Sequence, residues 1–219
     1  MKQTKPTWNN YEIAFSRAEQ EFLKFDQKEM IRASDLRADE NYIYITFFYT
    51  PYRIHRKTGY AERCIGKDQW RHCNYSEGMG IFDAICEPTP YRQLSGEMVD
   101  TSYFAKVGFT NRSIYQHYAD RFCADLEHFR AACLSLGAIP LDQSDAGFQF
   151  QIFDFLPMIL LLWEGEEGIP ATMSFLWDKN LYDFIRFETS QFIIGHILDE
   201  ISLAMGYKSS FQASTQSET

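Results

Sequence analysis

Phe155–Trp163 reads FLPMILLLW and is the longest apolar run of the chain. Its last six residues, Met158–Trp163, could not lie half exposed on a sheet without leaving a large apolar face in water. The run therefore predicts an interior strand. Pro157 has no N–H to donate to a neighbouring strand, so we expect it at the start of this one.

The segments on either side of this run predict its neighbours in the sheet. Phe148–Ile152 alternates between apolar and polar residues, as a half-buried strand does. Glu164–Gly168 reads EGEEG, a tight acidic turn, and Ala171–Trp177 beyond it has the composition of another strand. If the two strands pair antiparallel through this turn, Asp178 lies at the end of the hairpin opposite the turn.

The N-terminal half predicts further strands. Tyr42–Tyr49 is rich in β-branched and aromatic residues, and we expect Pro51 to end that strand. The strands Tyr52–Arg56 and Tyr60–Ile65 flank a turn in which Gly59 can adopt a positive φ. Two weaker patterns predict a loop over Asp68–Tyr75 and a strand, or a strand and a turn, within Gly96–Phe109.

Apolar residues spaced three and four apart predict the helices. The three main ones are Asn10–Met30, Ser113–Leu136 and a last helix from Thr189 or Ser190 to about Met205, with a shorter helix over Ser76–Cys86. Together these elements predict one α+β domain over residues 1–207, in which a mainly antiparallel sheet packs with about three main helices. Residues 208–219 are rich in Ser, Thr and Gln and predict a disordered C-terminal tail.

The charge balance disfavours a nucleic-acid partner. The chain has 219 residues with 21 Lys and Arg against 30 Asp and Glu, a net charge of -9, whereas nucleic-acid binding relies on clustered positive charge. We interpret its richest basic stretch as charged hairpin edges that oppose aggregation. The members of that stretch are Arg53, His55, Arg56, Lys57, Arg63, Lys67 and Arg71.

The hydropathy pattern predicts no contact with a membrane. A spanning helix needs about 20 apolar residues, and the longest apolar run here is much shorter. The first ten residues also lack the apolar core of a signal peptide. We therefore expect a cytoplasmic protein.

The cysteine pattern predicts neither a disulfide framework nor a metal site. The five cysteines are Cys64, Cys73, Cys86, Cys123 and Cys133. Their number is odd and no Cys-x-x-Cys pair occurs, which favours reduced, mostly buried thiols. The spacings of Cys64, His72, Cys73 and Cys86 match no common zinc framework. We expect no metal and no cofactor.

The strongest candidate site in the sequence is acidic. Glu164, Glu166 and Glu167 crowd a glycine-flanked turn after the most apolar strand, and Asp178 follows the next strand. Crowded carboxylates repel one another, so a bound cation or a raised pKa would relieve the repulsion. The alternative interpretation is a charged, solvated hairpin turn without a ligand. These four acidic residues are the candidate ligand-binding residues.

Five short motifs occur in an order that resembles a known family. They are Leu94–Glu97, Leu134–Ala138, Phe155–Pro157, Trp163–Pro170 and Leu176–Asn180. The segment from about Ile81 to Gly206 thereby resembles an uncharacterised domain family of unknown function from anaerobic bacteria and archaea. The resemblance implies a prokaryotic protein near corrinoid or iron–sulfur metabolism, and no established activity. Because this chain lacks the Cys-rich extension of some members, the resemblance implies no cluster bound by this chain alone.

Two functions remain open at this point. The sequence shows no recognisable pairing of a nucleophile with a base. Its 4 Trp, 13 Tyr and 19 Phe residues can supply both a core and the walls of a cavity. These features favour a non-catalytic cytoplasmic domain that binds a small molecule or a metabolic partner protein. The alternative is a carboxylate-dependent enzyme or a divalent-cation site at Glu164–Glu167.

Overall fold

The computed structural model describes residues 10–86, 89, 92–105 and 115–208, which contain ten strands and six α-helices. The strands are β1 (Arg37–Ala38), β2 (Tyr42–Phe47), β3 (Thr50–His55), β4 (Ala61–Gly66), β5 (Gln69–His72), β6 (Met98–Asp100), β7 (Ile139–Leu141), β8 (Ala146–Phe153), β9 (Leu156–Trp163) and β10 (Thr172–Asp178). The helices are α1 (Asn10–Phe22), α2 (Gln27–Ala33), α3 (Tyr75–Cys86), α4 (Gln116–Cys123), α5 (Leu126–Ser135) and α6 (Phe187–Ala204). Short 3-10 helices cover Thr101–Tyr103 and Leu181–Asp183.

The strands form one antiparallel sheet around β9. Its order is β5-β4-β3-β2-β8-β9-β10-β6, and β1 and β7 pair additionally with β2 and β8. β9 lies between β8 and β10, and Leu160 and Leu162 are fully buried, so the predicted interior strand is confirmed. The α+β class and the mainly antiparallel sheet are confirmed as well. The domain limits, 1–207, stay a prediction.

The two halves of the sheet meet where β2 passes β8. Phe47 pairs with Phe153, and the rings of these two residues stack with their centroids 5.0 Å apart. The N–H of Phe48 donates to the carbonyl of Ile152 at 2.8 Å. This short junction brings the N-terminal strands, β1–β5, into the same sheet as the apolar hairpin formed by β9 and β10.

A two-residue turn ends β2, so the prediction that Pro51 ends this strand is wrong. Phe48 and Tyr49 have φ values of 45° and 59°, a region that bulky residues rarely adopt. Turns of this hand suit the twist of a hairpin, and the chain reverses before it reaches Pro51. Pro51 instead lies inside β3, opposite Thr46.

Two of the three predicted main helices are each split in two, and together with α3 and α6 this gives six helices rather than about three. The carboxylate of Asp26 accepts the N–H groups of Lys28 and Glu29 and so caps α2. The carboxylate of Asp125 accepts the N–H of His128 and caps α5 in the same way. The apolar spacing continues across both breaks, so periodicity alone does not reveal them, whereas internal aspartates favour a new helix start.

Residues 68–75, predicted as a loop, contain β5 as well. Asp68 adopts a positive φ of 57°, and the tight turn it makes places Gln69 opposite Gly66 in β4. Three other predictions fall partly outside the described residues. These are the helix start at Ser113, the end of the segment Gly96–Phe109 and the tail over 208–219.

Two glycines allow α3 to pack tightly between its neighbours. A Cβ atom on Gly78 would lie 1.8 Å from the ring of Phe15 in α1, and one on Gly80 would lie 3.3 Å from Ile193 in α6. This close packing fixes the start of α3 against α1 and α6. The first turn of α3 also lies next to β4 and β5, where the candidate site is found.

The five cysteines are free thiols, as the sequence predicts. Cys73 and Cys133 are buried, and burial raises the pKa of both thiols. The expectation that most of the five are buried is wrong, because Cys64, Cys86 and Cys123 are half-buried.

Candidate ligand-binding cleft

A cleft of about 520 Å³ lies between strands β4 and β5, the start of α3 and the C-terminal half of α6. Polar and ionisable side chains predominate on its walls. The lining residues are Arg63, Arg71, His72, Cys73, Asn74, Ser76, His196, Asp199, Glu200 and Leu203.

The carboxylate of Glu77 lies fully buried behind the cleft wall. Asn74 and Glu77 form a reciprocal cap on α3: Glu77 accepts the Asn74 N–H at 2.8 Å, and the Asn74 side chain accepts the Glu77 N–H at 2.9 Å. The hydroxyl of Tyr52 donates to the same carboxylate at 3.1 Å. Burial alone would raise the pKa of Glu77, but hydrogen bonds from Arg71 and Asn74 and the positive charge of Arg71 lower it to about 2.

Arg63 joins three elements of the fold through its guanidinium. Its Nη1 donates to Glu77 at 2.8 Å and to Glu200 at 2.6 Å, and its Nη2 donates to the second oxygen of Glu200 at 2.9 Å. β4, α3 and α6 are thereby linked around one largely buried cation. Burial alone would lower the pKa of Arg63, but its bonds to these carboxylates raise it.

Arg71 reaches the same carboxylate from β5. Its Nη1 donates to Oε2 of Glu77 at 2.8 Å, and its Nη2 donates to Oε1 at 2.7 Å. Nη1 also donates to the backbone carbonyl of His72 at 2.9 Å. Unlike Glu77, the side chain of Arg71 is 36% exposed, and it lines the cleft.

His196 lies against the strained turn that ends β2. Its ring stacks on Phe47 with centroids 5.1 Å apart and contacts Phe48 edge-on at 6.1 Å. Burial lowers the pKa of His196, although Glu200 and Glu77 act in the opposite direction, so the imidazole is neutral at neutral pH. The rings of Phe47 and Phe48 thus pack against this neutral imidazole at the cleft.

Glu77, His196 and Glu200 could in principle ligate a metal ion, because one ligand atom from each lies within 4.8 Å of the others. Arg63 already donates to both carboxylates. A divalent cation at this position would have to break these bonds and would meet the positive charge of the guanidinium. The arrangement therefore fits an internal ion-pair network better than a metal site.

The predicted acidic site lies elsewhere, at the turn between β9 and β10. Glu164, Glu166 and Glu167 are exposed, and the backbones of Glu166 and Ile169 exchange two hydrogen bonds. A hollow of about 570 Å³ beside the turn is lined by residues that include Asp145, Glu164 and Glu166. The carboxylate of Asp145 accepts the N–H of Glu164 at 2.8 Å. A ligand at this turn stays a prediction.

Asp178 is not brought together with the acidic turn. It lies at the other end of β10, about 20 Å along the strand from Thr172, as the hairpin predicts. Its buried carboxylate accepts two hydrogen bonds from Ser95 and one each from the N–H groups of Gly96 and Asn180. Burial alone would raise the pKa of Asp178, and these bonds lower it. This bonding fixes a loop to the end of β10.

The sequence does not identify the residues of the cleft, and the interpretation of Arg63 and Arg71 as charged hairpin edges misses their pairing with carboxylates. Two local signals were present. Asn74 and Glu77 have the spacing of a capping box, and His196 and Glu200 lie one helical turn apart. Neither signal reveals that Arg63 joins the two pairs, because 137 residues separate Arg63 from Glu200.

The family model of a domain of unknown function, DUF3786, matches residues 26–199. The chain belongs to this family. The match extends from the N-cap of α2 into α6 and includes Arg63, Arg71, Glu77 and His196 of the cleft, so the cleft is built largely from the DUF3786 domain. No curated protein and no solved structure matches the chain.

Among the described residues, none of the helices combines the length and apolarity needed to cross a membrane.

Proposed function

We propose that this DUF3786 protein is a binding domain that holds a polar small molecule in the cleft beside Glu77. The observation that supports the proposal is the charge network of Arg63, Arg71, Glu77 and Glu200, whose side chains are fixed by mutual ion pairs before a ligand arrives. Side chains fixed in advance reduce the entropy cost of binding. The cleft volume also falls within the range of small-molecule sites.

The chemistry of the cleft supports binding rather than catalysis. Burial raises the pKa of the Cys73 thiol and of the Tyr52 hydroxyl, so neither is an available nucleophile at neutral pH. The pKa of Glu77, about 2, leaves it without a proton to donate, and both of its oxygens already accept hydrogen bonds.

The proposal includes a cytoplasmic location and no nucleic-acid partner. Five free thiols support a reducing compartment. The guanidiniums of Arg63 and Arg71 are paired with carboxylates rather than arranged as an open basic surface, which supports a small molecule over nucleic acid.

The test is a thermal-shift screen of neutral, cationic and anionic small molecules with two matched variants. Leu203 lines the cleft and is 46% exposed, so Leu203→Trp places a large ring at the cleft without disturbing the core. Leu134, 52% exposed on α5 and outside the cleft, supplies the control Leu134→Trp.

We expect some compounds to stabilise both the wild-type protein and Leu134→Trp. The same compounds should not stabilise Leu203→Trp. Bound compounds should also be recovered chemically unchanged. An absence of stabilising compounds, or compounds that stabilise both variants equally, contradicts the proposed cleft. A recovered product contradicts the non-catalytic part of the proposal.

A further inference from the structure

We infer that the ligand of this cleft carries a carboxylate or phosphate group, and that Arg71 binds this group through its Nε–H and one N–H of Nη2. The inference rests on the proposed function, because it assigns the chemistry of the ligand to a site whose use is itself proposed.

The free donors of Arg71 form one edge of its guanidinium. A guanidinium has five N–H donors in a plane. Three of them are used here, two toward Glu77 and one toward the carbonyl of His72. The remaining two, on Nε and Nη2, have no partner within the described part of the chain. They lie on the same side of the group and point in the same direction, which is the geometry that binds both oxygens of a carboxylate or phosphate.

The side chain of Arg71 is both accessible and held in position. Arg71 lines the cleft with its side chain 36% exposed, while the paired edge contacts the fully buried carboxylate of Glu77. Because Glu77 fixes the plane of the guanidinium, little side-chain freedom remains to be lost when an anion binds. Ser76 and Asn74 lie on the same cleft and can add further polar contacts.

The opposite wall restricts which anions fit. Asp199 and Glu200 face the cleft from α6, and the neutral imidazole of His196 lies on the same helix. Arg63 pairs with Glu200, which leaves the wall without excess positive charge. A ligand with several negative charges would be repelled there, so the inferred ligand has one anionic group and directs neutral donors or a cationic group toward α6.

Arg53 supplies a matched control, since it is an arginine of the same sheet outside the cleft. Its Nε donates to Glu62 at 2.7 Å, and its guanidinium carbon lies 4.3 Å and 4.2 Å from the ring centroids of Tyr42 and Trp70. The Nε–H that is free in Arg71 is therefore used in Arg53.

The experiment records the arginine Nε–H signals in ¹H–¹⁵N spectra of the full chain during titration with acetate, glycine and inorganic phosphate. Glycinamide, in which a neutral amide replaces the carboxylate of glycine, serves as the control. We expect the Arg71 signal, assigned from its side-chain connectivities and its loss in Arg71→Lys, to shift and saturate with at least one anion but not with glycinamide. Arg71→Lys should weaken binding about tenfold or more, because it keeps the charge and loses the paired donors. Arg53→Lys should leave the affinity unchanged.

The outcomes separate the two proposals. A shift with acetate or glycine alone identifies a carboxylate, and a shift with phosphate alone identifies a phosphate. An Arg71 signal that acetate, glycine and phosphate all leave unmoved overturns the inference, as does an unchanged affinity in a folded Arg71→Lys protein. If the stabilisation by the screen compounds is still lost in Leu203→Trp, the proposed function survives that result. If Leu203→Trp keeps this stabilisation, both proposals fail.

Discussion

Glu77 is the residue on which the geometry of the cleft depends most. Its carboxylate is buried, and it accepts hydrogen bonds from Tyr52, Arg63, Arg71 and the backbone of Asn74. The contact with Asn74 is local and was readable as a capping box. The other contacts come from strands that the sheet brings close, so no local pattern could predict them.

Glu77→Gln should destabilise the protein by about 3 kcal/mol, because it leaves two guanidiniums beside a neutral side chain in a buried position. Urea unfolding of the purified variant measures the change. The matched control is Glu127→Gln, which removes an exposed carboxylate paired with Arg130 and should cost about 0.5 kcal/mol or less. Equal effects of the two substitutions would show that the buried network does not stabilise the fold.

At the scale of elements, the sequence predicted strands better than helix boundaries. A continuous apolar run followed by a glycine-flanked turn specifies the β9–β10 hairpin, because few other structures can bury it. Apolar spacing of three and four residues persisted through the breaks at Asp26 and Asp125, so the pattern joined α1 to α2 and α4 to α5. The breaks are set by backbone hydrogen bonds to these two side chains, which spacing does not report.

Two helical glycines give a paired prediction. Where a helix position has room for a Cβ atom, Gly→Ala raises the free energy of unfolding by about 1 kcal/mol through helix propensity. Gly195→Ala in α6 should do so, since a Cβ there meets nothing within 4 Å. Gly78→Ala in α3 should instead destabilise by about 1–3 kcal/mol, because the new Cβ collides with the ring of Phe15. Thermal melts of the two variants compare them directly, and the same sign for both would contradict the packing of α1 on α3.

At the scale of the whole molecule, buried and half-buried carboxylates connect distant parts of the chain. Glu77 and Glu200 link β4, β5, α3 and α6, while Asp178 links the loop at Ser95 to the end of β10. Hydrogen bonds lower the pKa of all three carboxyls against the effect of burial. The sequence predicted the sheet that places these groups, but not their partners.

The fold should therefore be sensitive to acid. The pKa of Glu77 is about 2 in the folded protein and 4.5 ordinarily. A lowered pKa stabilises the folded state above the ordinary value, and that contribution is lost as pH falls from about 4.5 to about 2, since the unfolded chain binds the proton first. We expect the free energy of unfolding to fall across this range, and less steeply in Glu77→Gln. Identical pH profiles for the two proteins would contradict the assigned pKa of Glu77.

We propose that a small molecule binds in the cleft beside Glu77 rather than at the acidic turn Glu164–Glu167. The most direct measurement is a map of backbone amide shifts in ¹H–¹⁵N spectra when a compound from the thermal-shift screen is added. We expect the shifted amides to cluster at Arg71, Asn74 and Ser76 and around Glu200. Shifts confined to Glu164–Glu167 and its neighbour Ile169 would contradict this proposal and would place the binding site at the turn between β9 and β10.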